Sequence, residues 1–208
     1  MKYQIDDSYI DDIPSAILYR QTMEHYPKSA IGCFIISDNW GEQSLLELKK
    51  KSGAWFLVGL QVDIMDFERL DIIEGVIRCQ PDEVNDVIKL LDINSVSTII
   101  GIDIVDIKSL FDISNSFQFI QASATGESES DLIKMAAHKL ITQLEKVRNT
   151  KALFVGIYGI QSSSMETCSY ISEAVEALLS NDDVPIYYRS NMTDELNTFR
   201  LRVMYTSA

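Results

Sequence analysis

Glycine is scarce and dispersed in this sequence. Nine glycines occur among 208 residues, and no two of them are adjacent. Phosphate-binding loops need clustered glycines, because only glycine lets several backbone N–H groups approach one anion closely. Neither G-x-x-x-x-G-K-[ST] nor G-x-G-x-x-G occurs. The sequence therefore predicts a protein that does not hold a nucleotide through a glycine-rich loop.

Basic residues are also few. The chain has 18 Lys and Arg against 31 Asp and Glu, which gives a formal net charge of −13. This balance argues against nucleic-acid partners and against anionic membrane surfaces. The apolar runs are well short of the ~20 residues that a membrane helix needs. The acidic start, MKYQIDDSYIDDIP, does not resemble a secretory signal. We therefore expect no membrane insertion and a cytoplasmic location.

Residues that commonly bind metals are rare and scattered. Cys33, Cys79 and Cys168 stand far apart in apolar contexts, without a C-x-x-C pair, and His25 and His138 are near none of them in sequence. The simplest interpretation is that the cysteines are small buried hydrophobic residues in a reducing compartment. The sequence predicts no metal site and no cofactor.

A run of three serines, Ser162 to Ser164, is the one cluster of possible nucleophiles. No G-x-S-x-G motif surrounds it, and it stands just before a predicted helix. Serines at this place are typical of helix caps. We therefore predict no catalytic residue.

The first half of the chain alternates between predicted strands and helices, which indicates an α/β fold. We expect residues 1–95 to form a small α/β unit that ends in a connecting helix opened by Pro81. Its predicted elements are strands at 31–37 and 54–62 and helices at 41–53, 67–78 and 81–91.

The second half, 96–208, is predicted to be a four-stranded mixed sheet with helices packed against it. The final strand is the clearest, since Phe199, Leu201, Val203 and Tyr205 alternate with more polar residues. The four strands are expected at 117–122, 152–158, 185–189 and 199–205.

Three stretches of this half resemble a known family. They are GIDIVDIKSLF from Gly101, ASATGESESDLIKMAAHKLI from Ala122, and FRLRVMYTSA from Phe199. In order and spacing they look like the second domain of the tubulin/FtsZ family. The resemblance begins near Pro81 and covers about three fifths of the chain. It implies an assembly domain that lacks the family's GTP-binding domain.

The loop TIIGIDIVD, from Thr98 to Asp106, is similar to the family's acidic loop, G-x-x-N-x-D-x-x-D. Asp103 and Asp106 match its two aspartates, whereas Thr98 and Gly101 replace its glycine and asparagine. The resemblance implies a loop that inserts into the nucleotide pocket of a neighbouring subunit, with a catalytic role weakened by the lost asparagine.

The residues of the loop leave two alternatives open. Two carboxylates three positions apart at a helix start can bind a cation or polarise a water. They can equally cap the helix that follows, by accepting its free N–H groups. Asp63 and Asp66 have the same spacing elsewhere, which makes the pattern less specific and favours the cap.

Two functional hypotheses follow. The first is a non-catalytic FtsZ-like protein of the cytoskeleton or cell division, without GTPase activity, that contacts itself as a homodimer or a tubulin-like GTPase. Its candidate interface residues are Gly101 and Ile104, with Trp40 if that side chain is exposed. The alternative is a ligand-binding module or enzyme with a pocket at strand ends near Gly126 or Gly159.

Overall fold

One mixed sheet of nine strands organises the part of the chain that the structure describes. The structure is a computed structural model, and it describes residues 14–64, 70–93, 98–145, 147, 150–159, 164–179, 184–193 and 195–206. The strand order is β1-β2-β3-β4-β6-β9-β7-β8-β5. In chain order the strands are Ala16–Tyr19, Ile31–Ile35, Phe56–Gln61, Ile73–Arg78, Thr98–Ile100, Ser116–Thr125, Leu153–Gly159, Ile186–Met192 and Thr198–Thr206.

The strand directions define two edges of the molecule. Strands β5 and β9 run antiparallel to their neighbours, while the other strands all run in one direction. We call the edge where these parallel strands begin the lower edge, and the edge where they end the upper edge. Because β5 runs the other way, the loop that follows it emerges at the lower edge.

Five α-helices in the described part of the chain cover the two faces of the sheet. They are α1 Glu42–Ser52, α2 Val84–Leu91, α3 Ile104–Ile113, α4 Glu129–Leu144 and α5 Met165–Glu176. Helices α2 and α3 pack on one face, around a core that includes Phe56, Phe117 and Phe154. On the opposite face, α4 and α5 cover the C-terminal strands and α1 covers the N-terminal strands. Burial on both faces explains the nearly continuous apolar character of the central strands.

The α/β prediction is confirmed, and the four strands predicted for the second half stand together as β6-β9-β7-β8. The last strand, β9, lies between β6 and β7, antiparallel to both. The sheet is larger than the predicted four strands, because β4 of the first half pairs with β6. The division into 1–95 and 96–208 stays a prediction, and both parts contribute strands to one sheet.

The helix predicted over 67–78 is wrong where the structure describes it. Residues Ile73–Arg78 form strand β4, and residues 67–69 lie outside the described residues. Ile73 faces the α1 side and Ile77 the α2 side, so the strand is apolar on both faces and mimics a helical pattern. Gly75 is required here, because a Cβ would lie 2.2 Å from Cδ1 of Phe111 on α3.

A buried ion pair holds α2 on the C-terminal strands. The Nη2 of Arg202 on β9 donates to Oδ1 of Asp86 on α2 at 2.5 Å. The guanidinium of Arg202 also lies 4.2 Å from the centroid of the Tyr158 ring on β7. The Arg202 side chain is only 4% exposed, so its charge depends on these neighbours for compensation.

A second buried arginine holds the end of the same helix. Arg189 on β8 is 1% exposed. Its Nη1 donates to the carbonyl oxygens of Lys89 and Leu90, at 3.2 and 3.1 Å. These carbonyls belong to the last turn of α2, where a cation is favourable to the helix dipole. Together the two arginines fix the position and the direction of α2.

We expect the substitution Asp86→Ala to lower the free energy of unfolding by about 3–5 kcal/mol, because it leaves the charge of Arg202 buried without its carboxylate. Urea denaturation followed by circular dichroism measures this loss. Glu195→Ala removes an exposed partner of Arg200 and is the control, with an expected loss of about 0–1 kcal/mol. Equal losses in the two variants would contradict a structural role for the buried pair.

Candidate interface at the lower edge

The acidic loop leads from β5 into α3 at the lower edge, and its two aspartates form a reciprocal cap. Oδ1 of Asp103 accepts hydrogen bonds from the backbone N–H groups of Val105 and Asp106, at 2.7 and 2.9 Å. Oδ2 of Asp106 accepts from the N–H of Asp103 at 3.0 Å. This arrangement satisfies N–H groups that the first turn of a helix leaves free.

The geometry of the loop agrees with helix capping, which the sequence favours over the binding of a cation or a water. Asp103 is exposed and Asp106 is half-buried, and both carboxylates are engaged with the backbone of α3. Within the described residues, no group of three or more His, Cys, Asp or Glu side chains is placed to hold a metal ion. The loop therefore begins a helix, and its carboxylates are directed at backbone N–H groups.

Exposed apolar side chains surround the capped loop. Val105, in the first turn of α3, is 60% exposed, and Trp55, immediately before β3, is 49% exposed. Of the predicted interface residues, Gly101 is exposed and Ile104 is half-buried beside the core. Apolar side chains grouped at one edge of a sheet are typical of a surface that meets another protein.

A cavity of about 410 Å³ opens beside this loop. Its apolar wall is formed by Trp55, Ile93, Ile102 and Ile104. The wall therefore combines the N-terminal part of the chain, the end of α2 and the acidic loop.

The polar groups of the same wall already have partners inside the protein. The hydroxyl of Ser29 donates to the carbonyl of Ile31 at 2.9 Å. The hydroxyl of Ser52 donates to the carbonyl of Leu48 at 2.7 Å. The cavity is therefore suited to an apolar group and not to a strongly polar one.

Trp40 is buried, whereas it was a candidate interface residue only if its side chain is exposed. It is 7% exposed, and its ring packs against Phe34 with the centroids 5.8 Å apart. The residue before it, Asn39, has a left-handed backbone with φ of 60°, and Trp40 lies in the core under α1. A left-handed turn before an aromatic residue cannot be recognised from hydrophobic periodicity.

Trp55 is the residue that the sequence does not single out. It was predicted to lie inside a strand, but β3 begins one residue later, at Phe56. Its backbone N–H donates to the carbonyl of Ala30 at 2.9 Å, which leaves the indole at the mouth of the cavity. The only feature of the sequence that could have indicated the exposure of Trp55 is its position between the end of α1 and the apolar strand β3.

The upper edge carries a groove at the place of the alternative hypothesis. A depression of about 430 Å³ lies between the starts of α4 and α5, which follow the ends of β6 and β7. Its lining includes Glu129, Lys134, Glu166 and Tyr170, all exposed. Ser164 caps α5 by accepting from the N–H of Thr167, while Ser162 and Ser163 lie outside the described residues.

Acidic side chains occupy the first turn of all five described α-helices. They are Glu42 in α1, Asp86 in α2, Asp106 in α3, Glu129 and Asp131 in α4, and Glu166 in α5. Each carboxylate favours its own helix by interacting with the positive end of the dipole. An anion approaching the starts of α1, α4 and α5 would therefore meet exposed carboxylates, whereas Asp86 of α2 is paired with Arg202.

The three thiols are unsuited to nucleophilic chemistry. Cys33 and Cys79 are buried, as predicted, and Cys168 is half-buried. Burial and the nearby Glu83 and Asp82 carboxylates raise the pKa of Cys79 to about 12. Burial also raises the pKa values of Cys33 and Cys168. All three are therefore protonated near neutral pH.

Comparison with known proteins identifies the fold through structure alone. No protein-family model matches the chain, and no curated protein sequence matches it either. A point mutant of FtsZ from M. jannaschii superposes with a TM-score of 0.62 at 17% identity and covers 86% of this chain and 65% of its own. The chain has the tubulin/FtsZ fold. The similarity extends beyond the three motifs, because the segment from Pro81 onward is only about three fifths of the chain.

Two further structures share this fold. An empty FtsZ dimer from M. jannaschii has a TM-score of 0.61 and 16% identity, and covers 85% of this chain and 62% of its own. A protofilament of CetZ2 from Haloferax volcanii with bound GTPγS has a TM-score of 0.53 and 11% identity, and covers 85% and 64%. The chain thus spans less than two thirds of the length of these proteins. Within the described residues, no helix has the length and apolarity needed to cross a membrane.

The substitution Asp103→Ala is expected to lower the free energy of unfolding by about 1 kcal/mol, because two N–H groups of α3 lose their acceptor. Asp103→Asn is the control, since asparagine caps helices about as well as aspartate while lacking its charge. Thermal and urea unfolding of both variants measures the difference. Equal losses in the alanine and asparagine variants would show that the charge matters and the cap does not.

Proposed function

We propose that this chain is a non-catalytic, FtsZ-like assembly or regulatory protein, of the cytoskeleton or of cell division, that acts through protein contacts at its lower edge. The observation that supports this most strongly is the exposure of Val105 and Trp55 around the capped loop. Exposed aromatic and aliphatic side chains beside an apolar cavity provide the anchors that protein interfaces use.

The loop supports a contact role better than a catalytic one. Both carboxylates accept hydrogen bonds from backbone N–H groups at the start of α3. Gly101 stands where the family's loop has an asparagine. A carboxylate already directed at two N–H groups is poorly placed to orient an attacking water. Asp103 and Asp106 therefore serve to present the neighbouring apolar residues in this proposal.

The absence of GTPase activity is part of the proposal. The sequence has no glycine cluster, and every described α-helix starts with a carboxylate in its first turn. Both features oppose the binding of a triphosphate, the first sterically and the second electrostatically.

The proposed partner is a second copy of this chain or a tubulin-like protein. Dimer and protofilament are the states of the FtsZ and CetZ2 structures that share its fold. The groove between α4 and α5 is the site of the alternative, a ligand-binding module. It supports that alternative weakly, because most of its polar side chains are exposed and two of them are glutamates.

Titration with fluorescently labelled GTP and magnesium is expected to show no saturable binding up to high micromolar protein, because the described helix starts repel phosphate. CetZ2 from Haloferax volcanii, whose structure holds bound GTPγS, serves as the positive control for the assay. Saturable micromolar binding to this chain would contradict the proposal and show that another arrangement replaces the glycine loop.

The substitution Val105→Asp is expected to weaken self-association, or binding to a tubulin-like partner, at least about tenfold, because it places a charge among apolar contacts. Its effect on stability should be small, since the side chain is 60% exposed. Sedimentation velocity over a concentration series measures the change.

Met135→Asp provides the control for this substitution. Met135 is 49% exposed on α4, which packs on the opposite face of the sheet from α3 and its acidic loop. This variant should associate like the unmodified protein. If Val105→Asp and Met135→Asp both associate normally, the lower edge is not the interface.

A further inference from the structure

An apolar knob stands at the start of α3 on the lower edge. The knob is the side chain of Val105, which is 60% exposed. The backbone N–H of Val105 donates to Oδ1 of Asp103 at 2.7 Å, and its carbonyl accepts from the hydroxyl of Ser109 at 2.8 Å. Because these hydrogen bonds hold its backbone in place, the knob loses little conformational freedom when another molecule covers it.

The cavity of the lower edge lies directly beside this knob and is separate from it. Asp103 and Ile104 line the cavity, whereas the next residue, Val105, does not. The apolar wall formed with Trp55 and Ile102 is therefore not filled by the knob of the same copy. One copy thus presents an apolar knob and an apolar hole next to each other on one surface.

The knob and the hole have charges of opposite sign beside them. Lys28, which is exposed, lies at the cavity, and its Nζ donates to the carbonyl of Lys51 at 3.0 Å. That carbonyl belongs to the last turn of α1, where a cation is favourable to the helix dipole. The carboxylates of Asp103 and Asp106 stand beside the knob, at the start of α3.

This surface is complementary to itself under two-fold symmetry. Rotation about a two-fold axis that passes between the knob and the hole places the Val105 of each copy over the cavity of the other. The same rotation brings Lys28 of each copy towards the carboxylates of Asp103 and Asp106 in the other. Each apolar feature and each charged feature then meets its complement, and does so twice.

We propose that two copies of the chain associate through their lower edges in a closed two-fold dimer, in which Val105 of each copy enters the cavity of the other. The inference rests on the proposed function of the lower edge as an interface, and it adds the occupant and the symmetry. An apolar side chain enters an apolar recess, and lysine faces carboxylate around it. Because both lower edges are covered, association ends at two copies, and the dimer cannot bind a tubulin-like protein through the same surface.

Sedimentation velocity over a concentration series tests the symmetry and the knob together. The unmodified protein should reach twice the mass of one chain and form nothing larger. Val105→Ala shortens the knob without adding a charge, and a two-fold contact counts this change twice. The variant should associate about 10- to 100-fold more weakly, because two carbon atoms of each knob are no longer buried.

Leu196→Asp is the control at the upper edge. Leu196 is 83% exposed and precedes β9, which starts at the upper edge. This variant should dimerise like the unmodified protein, because the two-fold contact leaves the upper edge uncovered. Circular dichroism melting establishes that each variant is folded before its sedimentation is measured.

Lys28→Glu tests the charges around the contact. It should weaken the dimer several-fold at low salt and less at high salt, because it places a carboxylate against carboxylates of the second copy. Lys139→Glu makes the same change in net charge at an exposed residue of α4, on the opposite face of the sheet from α3, and is the control. Equal effects of the two variants would overturn the pairing of Lys28 with the acidic loop.

Trp55 reports on the contact without any substitution. Its indole lies at the cavity, so its emission should shift to the blue as the unmodified protein is concentrated, while buried Trp40 contributes a constant signal. The shift should be absent in Val105→Ala at the same concentrations and present in Leu196→Asp.

The outcomes separate this inference from the proposed function. Species larger than a dimer, or weakened association of Leu196→Asp, would overturn the two-fold contact and leave the lower edge as an interface with a different surface. An unmodified protein that stays monomeric at all concentrations also overturns it, and leaves a tubulin-like partner for the lower edge. Normal association of Val105→Asp overturns the proposed function itself.

Discussion

The buried contact between Asp86 and Arg202 is the constraint on which the rest of this structure depends. The two residues are separated by 116 positions, and their hydrogen bond brings α2 onto the last strand of the chain. A guanidinium this deeply buried is tolerated only where a carboxylate and an aromatic face compensate its charge. Ile93, two residues after the end of α2, lines the lower-edge cavity, so the position of α2 also places this part of the cavity wall.

The cavity also depends on the continuity of the sheet. Its wall joins Trp55, from the first half of the chain, to Ile102 and Ile104, from the second. These parts meet because β4 pairs with β6 and because α2 crosses from one to the other. A fragment restricted to 96–208 would keep the capped loop and lose Trp55, so the candidate interface is a property of the whole sheet.

The sequence predicted correctly those helices and strands whose formation depends on residues close together in the chain. The alternation in 199–205 identified β9, and the two aspartates identified the start of α3, because a strand face and a helix cap each depend on neighbouring residues. Strand β4 was missed because its apolar residues face cores on both sides. The burial of Trp40 was missed because the left-handed residue Asn39 turns the chain before it, and the exposure of Trp55 because β3 begins one residue later. The pairing of Asp86 with Arg202 is beyond any local signal, since nothing in either segment specifies the other.

The direction in which the helices run determines at which edge of the sheet their charged side chains lie. Helices α1, α2, α4 and α5 follow strands that end at the upper edge, so the carboxylates in their first turns gather there. The lysines that complement the end of α1 gather at the lower edge for the same reason. Of the described α-helices, only α3 starts at the lower edge, and its capping carboxylates, Asp103 and Asp106, accept from the backbone at its start. Stabilising each helix thus places exposed carboxylates of α1, α4 and α5 at the upper edge and the lysines of α1 at the lower edge.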